Sequence, residues 1–470
     1  MNLNRTIRAG LGAALVASTL AGATLIASQA GASTKKATSP CSPSALASAK
    51  GPVNITFDEG MTSSNETLLQ KLVAAFNASQ TKVHVNDVNQ SGGYQDTWND
   101  YLTALQQGQG ANAYLMDQYV TQGATDSKGI IPVSACISAF KYSTKGILPK
   151  ALAEETVGGS LQAIPYSVSA PILIYNQVAF KKAGIKSAPT TLTQLGTDAV
   201  ALKKAGYSDG VTLKLDPWYL QIWQGMSNDY FVNNQNGRSG GRATAAAFND
   251  SQGLAAFTEL QNIVKKGDAV TNPSTGSLTT AYANLFAIAG YKSGATIDSS
   301  ATLGPILSLL HGYPKSKLQL GVAEIPGILN NTGGGVQPGG NALYIPKSDS
   351  PAQAAATWEF YQYLLQPANS AAWSVGTGYI PLSPAVASQP AVVKFWKTYP
   401  SLKAAYNELE RGTVNNATAG PLVGNYYVVN NEIATYENQL LSSPYPNPQT
   451  ILTNAANAAT SDLKAYNSSL

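Results

Sequence analysis

The sequence predicts an α/β fold, and three features carry that reading. Short runs of β-branched and aromatic residues alternate with longer stretches whose apolar residues recur at helical spacing. Helix start and stop residues flank those longer stretches. The order strand, helix, strand then repeats from residue 53 onward, the pattern of helices covering a sheet.

Taken in order, Val53-Asn54-Ile55-Thr56-Phe57 reads as a first strand. Leu68, Leu69, Leu72, Val73 and Phe76 then share one helical face behind a cap at Ser64 or Asn65. A second strand covers residues 83–88 and contains His84, expected as a partly buried imidazole. Trp98, Tyr101, Leu102 and Leu105 make the next helix, and Ala113-Tyr114-Leu115-Met116 a short buried strand. Strands joined through helices pair in parallel, so a parallel sheet is expected. Leu173-Ile174-Tyr175 gives a further strand, followed by helices at about 178–183 and 193–205 that Gly184 and Gly206 close. Asp250 or Ser251 starts a helix with the apolar face Leu254, Phe257, Leu260 and Ile263. Ser350-Pro351 opens one carrying Ala355, Trp358, Tyr361 and Leu365, and the Ala-rich residues 448–467 form a last helix. Glycine-rich stretches at 234–241 and 332–340 read as surface loops or cleft edges.

The amino end has a different purpose. Residues 1–32 carry Arg5 and Arg8, an apolar stretch over 11–26 and then Ala30-Gly31-Ala32, the layout of a secretory signal peptide and its cleavage site. No later apolar run approaches the roughly 20 residues of a membrane span. Loss of the two arginines lowers the net charge from +4 toward balance, which gives no reason to expect nucleic acid or an anionic membrane as partner. In an oxidising compartment the two cysteines, Cys41 and Cys136, are expected to pair. Such a bridge would pin the arm at 33–52 to the body, and closing so long a loop is worth on the order of 4–5 kcal/mol in the chain-entropy model. The alternative for Cys41, a lipidated first residue, lacks the Leu and small residues that should precede it. The protein is expected to be exported, periplasmic or extracellular, and not lipid-anchored.

Residues able to do chemistry are few. The chain has two histidines, neither at metal-ligand spacing, and no nucleophile elbow or phosphate loop. No metal, cofactor or catalytic residue is expected. A glycosidase needs only two carboxyls, for which Asp58-Glu59, Glu154-Glu155, and Asp117 with Asp216 are the candidates. What the chain does hold is 24 Tyr and 6 Trp against 12% charged residues, flat rings and amides suited to the faces and hydroxyls of a sugar.

Several motifs occur in the order and at the spacing of one family. They are Ile55-Thr56-Phe57-Asp58-Glu59-Gly60-Met61; Leu72-Val73-Ala74-Ala75-Phe76-Asn77; and the run Ile164-Pro165-Tyr166-Ser167-Val168-Ser169-Ala170-Pro171-Ile172-Leu173-Ile174-Tyr175-Asn176. Later come Phe180-Lys181-Lys182-Ala183-Gly184, Gly339-Gly340-Asn341-Ala342-Leu343-Tyr344-Ile345, Leu364-Leu365-Gln366-Pro367 and Thr377-Gly378-Tyr379-Ile380-Pro381-Leu382-Ser383. From residue 53 onward the chain thus resembles the extracellular solute-binding proteins of carbohydrate ABC importers, the family of maltose-binding and glycerol-3-phosphate-binding proteins.

The resemblance implies a two-lobed periplasmic-binding-protein fold whose strands cross a hinge near residues 167–171, 321–326 and 377–384. The lobes would be discontinuous: 53–167 and 323–377 in the first, 168–322 and 378–470 in the second, the last stretch with the C-terminal helices. It implies a monomeric, non-catalytic receptor that closes on a carbohydrate and delivers it to membrane ABC permease subunits. Matching positions make Tyr94, Ser169, Ser293, Gly340, Asn341 and Tyr379 candidate ligand contacts. Tyr119 falls where the glycerol-phosphate relatives have a Glu. Trp218, in Asp216-Pro217-Trp218, is either a stacking platform or a core anchor. Glu59 either accepts hydroxyls or faces solvent. Those relatives also place an Arg before a Leu-Gly-Asn turn to hold phosphate, whereas here Gly420-Pro421-Leu422-Val423-Gly424-Asn425-Tyr426-Tyr427 has none. A neutral mono- or oligosaccharide is therefore expected, with Asn425 and Tyr426 as contacts, ahead of a polyol or glycerophosphodiester.

Overall fold

In chain order the strands of the computed structural model are β1 Val53–Glu59, β2 Val83–Asn89, β3 Ala113–Asp117, β4 Ile130–Ile131, β5 Thr156–Val157, β6 Ser160–Leu161 and β7 Ile164–Ser169. They continue as β8 Pro171–Asn176, β9 Gly210–Leu215, β10 Ala269–Pro273, β11 Ser293–Ser299, β12 Leu320–Glu324 and β13 Gly339–Pro346. Residues 39–91, 93–273, 282–328 and 333–470 are described. The predicted export signal lies outside them.

Two sheets result. One runs β2-β1-β3-β13-β4 with β7 also on β13, and the other β10-β9-β11-β8-β12. Helices Ser63–Ser79 and Tyr94–Gln107 link β1 to β2 and β2 to β3, and those strands are parallel on β1, as expected. The same holds for β10 and β11 on β9. Strands that arrive from the other sheet have no such crossover and run antiparallel, as β13 does on β3 and β7, and β8 on β11 and β12. Both sheets are therefore mixed rather than purely parallel.

Local signals explain most helix ends. Asp250 accepts the Gly253 N–H at the start of Ser251–Lys265, and Ser350 with Gln353 forms a capping box on Pro351–Leu364. The first long helix departs from expectation: its N-cap is Thr62, ahead of Ser64 and Asn65. His84 also differs, because β2 is an edge strand whose alternation turns residue 84 outward, and the imidazole is exposed. Under the first sheet Phe57, Phe76 and Phe360 pack with ring centroids 5.1 and 5.2 Å apart. On the second, Phe257, Leu260 and Ile263 are buried as one face of their helix, each such side chain contributing about 1.5–3 kcal/mol.

Cys41 and Cys136 are bonded, with Cα atoms 5.1 Å apart and both residues fully buried. The bridge ties the arm to helix Val133–Phe140, and the Ser42 N–H donates to the Pro351 carbonyl at 3.1 Å.

The chain passes between the sheets at Ala170, where β7 leads directly into β8. It returns between Glu324 and Gly339, where one second-sheet helix is bonded at both ends of the passage, Trp223 Nε1 to the Pro326 carbonyl (3.0 Å) and Gln337 Nε2 to the Gln221 carbonyl (3.1 Å). After helix Pro367–Thr377, Ile380 N–H bonds the Val168 carbonyl at 2.6 Å, and Leu148 N–H the Leu382 carbonyl at 2.8 Å. Residues 39–470 form one compact unit.

Candidate functional site

The first sheet presents its site residues at the end of β3. Asp117 closes that strand and caps the following turn by accepting the Tyr119 N–H at 3.1 Å. Strand β13 places Asn341 in register with both Asp117 and Ser167. This requires Gly340, whose φ of +118° bends β13 at a point where a Cβ would sit 1.6 Å from the Ser167 carbonyl oxygen. Asn341 Oδ1 lies 3.5 Å from the Tyr379 hydroxyl, which shares a 2.5 Å hydrogen bond with the Tyr94 hydroxyl. Tyr94, Tyr379, Asn341 and Asp117 thus form one polar row.

The second sheet supplies the facing groups. Asp216 follows β9 and accepts the Trp218 N–H at 3.0 Å, opening helix Trp218–Met226. The Trp218 ring lies over Gly339: a Cβ there would be 2.6 Å from Trp218 Cζ2 and 3.1 Å from Ser169 Oγ, so only glycine permits this approach. From helix Tyr426–Leu440, Tyr427 donates to Asp117 Oδ2 at 3.2 Å, and Tyr426 stacks on Tyr119 with centroids 4.3 Å apart. Gln221 Nε2 holds the Tyr426 hydroxyl at 2.8 Å.

Several buried polar atoms along this seam have no protein partner: Trp218 Nε1, Asn341 Nδ2, the Tyr119 hydroxyl and both amide atoms of Gln118. Leaving such groups unpaired costs about 1–3 kcal/mol each, so each favours a partner atom from solvent or a ligand. Burial pushes the Asp117 carboxyl up to about 7, opposed by its hydrogen bonds from Tyr119 and Tyr427 and reinforced by Asp216. Burial likewise holds the Tyr119, Tyr379, Tyr426 and Tyr427 phenols well above their usual range.

Two guanidinium groups, those of Arg238 and Arg242, cross the seam, and both are bonded to protein groups. All five Arg238 N–H groups meet carbonyls, those of Ala153, Glu154 and Thr156 on one side and Ala419 and Gly420 on the other, at 2.6–3.2 Å. Arg242 forms a bidentate pair with Asp126 at 2.6 Å per bond and reaches Asn467 with Nε. Arg411 pairs with Glu324.

The structure therefore brings together Tyr94, Tyr119, Ser169, Trp218, Gly340, Asn341 and Tyr379 of the sequence-derived set. Glu59 stands just behind them, fully buried, with its oxygens on Asn89 Nδ2 and the Met61 N–H, both at 2.5 Å. It braces the loop and does not face solvent. Ser293 is placed elsewhere, at the opposite end of β11 from Ser299, roughly 20 Å along the strand. Its hydroxyl bonds the Ala295 carbonyl at 2.8 Å. Asn425 turns its Nδ2 to the Asp462 carbonyl (3.1 Å) on the C-terminal helix, leaving Tyr426 and Tyr427 to face the seam. Sequence reasoning missed Tyr427 and the crossing arginines, and treated Asp117 only as half of a hydrolytic pair. An Asp ending a buried strand two residues before a Tyr was the available signal for Asp117.

The body thus has two large sheets, strands that pass between its halves and a polar, ring-lined seam where the halves meet. The chain belongs to the bacterial extracellular solute-binding protein family, whose model matches residues 71–404. It is 26% identical over 274 residues to the sn-glycerol-3-phosphate-binding periplasmic protein UgpB of Yersinia pseudotuberculosis, covering 57% of this chain and 59% of that one. The chain thus spans less than two thirds of that relative's length. Among solved structures, the GacH receptor of Streptomyces glaucescens, determined unliganded and with acarbose, superposes with a TM-score of 0.72 at 17% identity, covering 88% of this chain and 99% of that one. UgpB of Mycobacterium tuberculosis in complex with glycerophosphocholine gives 0.70 at 16% identity, covering 89% and 100%. These likenesses show the fold.

Proposed function

We propose that the protein is a receptor that captures a mono- or oligosaccharide between its two halves and hands it unaltered to a membrane ABC permease. The observation that carries this reading is the seam itself. Tyr119 and Tyr426 meet there ring on ring, Trp218 lies against Gly339 and Tyr379 against Asn341 on the neighbouring stretch of β13, and buried donors and acceptors stand beside them without a protein partner. Flat rings match the apolar faces of a pyranose, and the free polar atoms match its hydroxyls.

In this reading the lobes follow the sheets: residues 53–169 with β13 and the helices on it, and residues 171–324 with the C-terminal helices. The second crossing then falls after Glu324, slightly later than residue 323. Ligand contacts made by both lobes favour the closed form over the open one, and the net affinity is the surplus over the ordering cost. Glu59 acts as a brace for Tyr94, while Ser293 and Asn425 are left out of the site.

A glycerophosphodiester is the second reading, favoured by the ligand of the M. tuberculosis structure. Against a phosphate-centred site, every guanidinium of the described residues is already bonded to a protein group. Export is consistent with the extracellular family. Because the Cys41 sulfur is bonded to Cys136, we take the protein to lack a lipid anchor at that residue; a monomeric state is carried in this reading as what the family resemblance implies.

A thermal-shift screen against neutral sugars, polyols and glycerophosphodiesters tests the proposal, since a ligand bound only by the folded form raises the melting point. A rise with sugars supports it. A rise confined to phosphodiesters overturns it in favour of the second reading.

A further inference from the structure

Arg238 belongs to the second half of the body but is bonded to both. Within its own half, Nε and Nη2 donate to the Gly420 and Ala419 carbonyls at 2.6 and 2.7 Å. Across the seam, Nη1 donates to the Ala153 and Thr156 carbonyls at 2.8 and 3.2 Å, and Nη2 to the Glu154 carbonyl at 3.1 Å. Those three carbonyls sit at the end of helix Pro149–Glu154 and the start of β5, in the first half. Every N–H of the guanidinium is used and all five acceptors are main-chain atoms, so none is left for a ligand. The three cross-seam bonds join the halves through protein atoms alone, and moving the halves apart breaks them.

The backbone that presents Arg238 is an independent observation. Asn234, Gln235 and Asn236 have φ of 56°, 54° and 62°, three left-handed residues in succession with no glycine among them, and Gly237 follows at 70°. An L-residue disfavours this conformation, so the surroundings must hold the turn. Asn236 does this from a fully buried position. Its Oδ1 accepts the Phe231 and Val232 N–H groups at 2.8 and 3.2 Å, and its Nδ2 donates to the Asn416 carbonyl at 3.0 Å. Its own carbonyl accepts the Leu422 N–H at 2.9 Å. A strained turn, fixed to second-half groups, thus carries a guanidinium whose remaining donors reach into the first half.

We propose that Arg238 is a clamp between the halves, raising affinity by stabilising the closed form while making no bond to the solute. This rests on the receptor reading above and adds to it a positioning residue that acts through closure. Apparent affinity scales with the fraction of molecules in the competent form, so a weaker clamp lowers it without touching the ligand contacts. Lysine offers three donors on a single atom in place of five on a planar fork, and cannot replace it.

Fluorophores at Gln109 and Lys266, exposed positions of the two halves, read the distance between them in the mature chain with no sugar added. Arg238→Ala is expected to shift the distance distribution to longer values than the parent's, and Arg238→Lys to shift it the same way. The lysine variant keeps the charge and supplies the readout should the alanine variant fail to fold. With maltose as probe, both variants are expected to bind roughly tenfold more weakly through faster release, and to regain the parent's distance at saturation. Equal sugar-free distances in parent and variants overturn the inference. Weaker binding without a change in that distance also overturns it, making Arg238 a local brace. Failure of the parent to bind maltose or any other sugar counts against the receptor reading alone, because distances read without sugar still decide for or against the clamp.

Discussion

Tyr119 and Tyr426 lie ring on ring, 4.3 Å between centroids and 13° between planes, one beyond β3 of the first sheet and the other at the start of a second-sheet helix. The stack joins the two halves where the free polar atoms gather. Its hydroxyl on the Tyr426 side is tied to Gln221 and Asn430, so that residue's role is to hold the Tyr119 ring in place at the seam. Tyr426→Ala is expected to weaken sugar binding about tenfold or more, and Tyr426→Phe by no more than about threefold. Intrinsic fluorescence titration distinguishes the two.

Trp218 carries both a ring and an unpaired indole N–H. Trp218→Phe keeps an aromatic ring over Gly339 and removes the donor, so it is expected to lower affinity by roughly five- to tenfold at nearly unchanged melting temperature. Calorimetry against the same sugar checks it, and an unaltered affinity would take the indole N–H out of the site.

The Arg242 to Asp126 pair spans the seam, with side chains 38% and 8% exposed. Solvent screening limits such a pair to about 0.2–1 kcal/mol. Arg242→Ala should therefore speed ligand release by about two- to fivefold and leave the association rate nearly unchanged, as stopped-flow traces would show. Added salt should narrow the difference between variant and parent.

Glu59, Asp117 and Asp349 are each pushed up to about 7, in every case chiefly by burial. Unfolded, such carboxyls titrate near 4, so between about 4 and 7 the folded chain holds more protons than the unfolded one. Their stabilising effect is complete below the unfolded value and is lost as pH rises through 7. Lys150, lowered to about 8 by burial, is protonated in both states over that window and does not reverse the trend. The melting temperature should fall from pH 5 to pH 8 in buffers of matched ionic strength, and a flat or rising profile would contradict this.

Sequence separation of 95 between Cys41 and Cys136 makes the disulfide a long-loop constraint. Replacing both with Ser should lower the unfolding free energy by on the order of 4–5 kcal/mol, read from urea denaturation, with sugar affinity of the folded variant unchanged.

Much of the architecture was legible where local chemistry repeats. Alternation exposed β1 and β2, and Asp250, Ser350 and the glycines after helices marked their ends. Strands β9 and β11, in contrast, read Gly-Val-Thr-Leu-Lys-Leu and Ser-Gly-Ala-Thr-Ile-Asp-Ser; covered on both faces, they lack the alternation that identifies a half-buried strand. Helix Trp218–Met226 is buried nearly all round, so no polar face announced it. The site was harder. Family resemblance put Tyr94, Tyr379, Asn341, Ser293 and Asn425 forward along the chain but could not say where a side chain points; the Ser293 hydroxyl bonds the Ala295 carbonyl and Asn425 Nδ2 the Asp462 carbonyl. Tyr427 meets Asp117 across 310 residues and Arg242 meets Asp126 across 116, contacts that no local window contains.

The central claim is that two halves close on a sugar held at the Tyr119 and Tyr426 seam. Fluorophores placed at exposed positions of the two lobes, Gln109 beyond the first sheet's Tyr94–Gln107 helix and Lys266 on the second, report the distance between them. A bound sugar should shorten that distance in the parent and fail to do so at the same concentration in Tyr426→Ala. Saturating sugar binding with no change in distance would contradict the account.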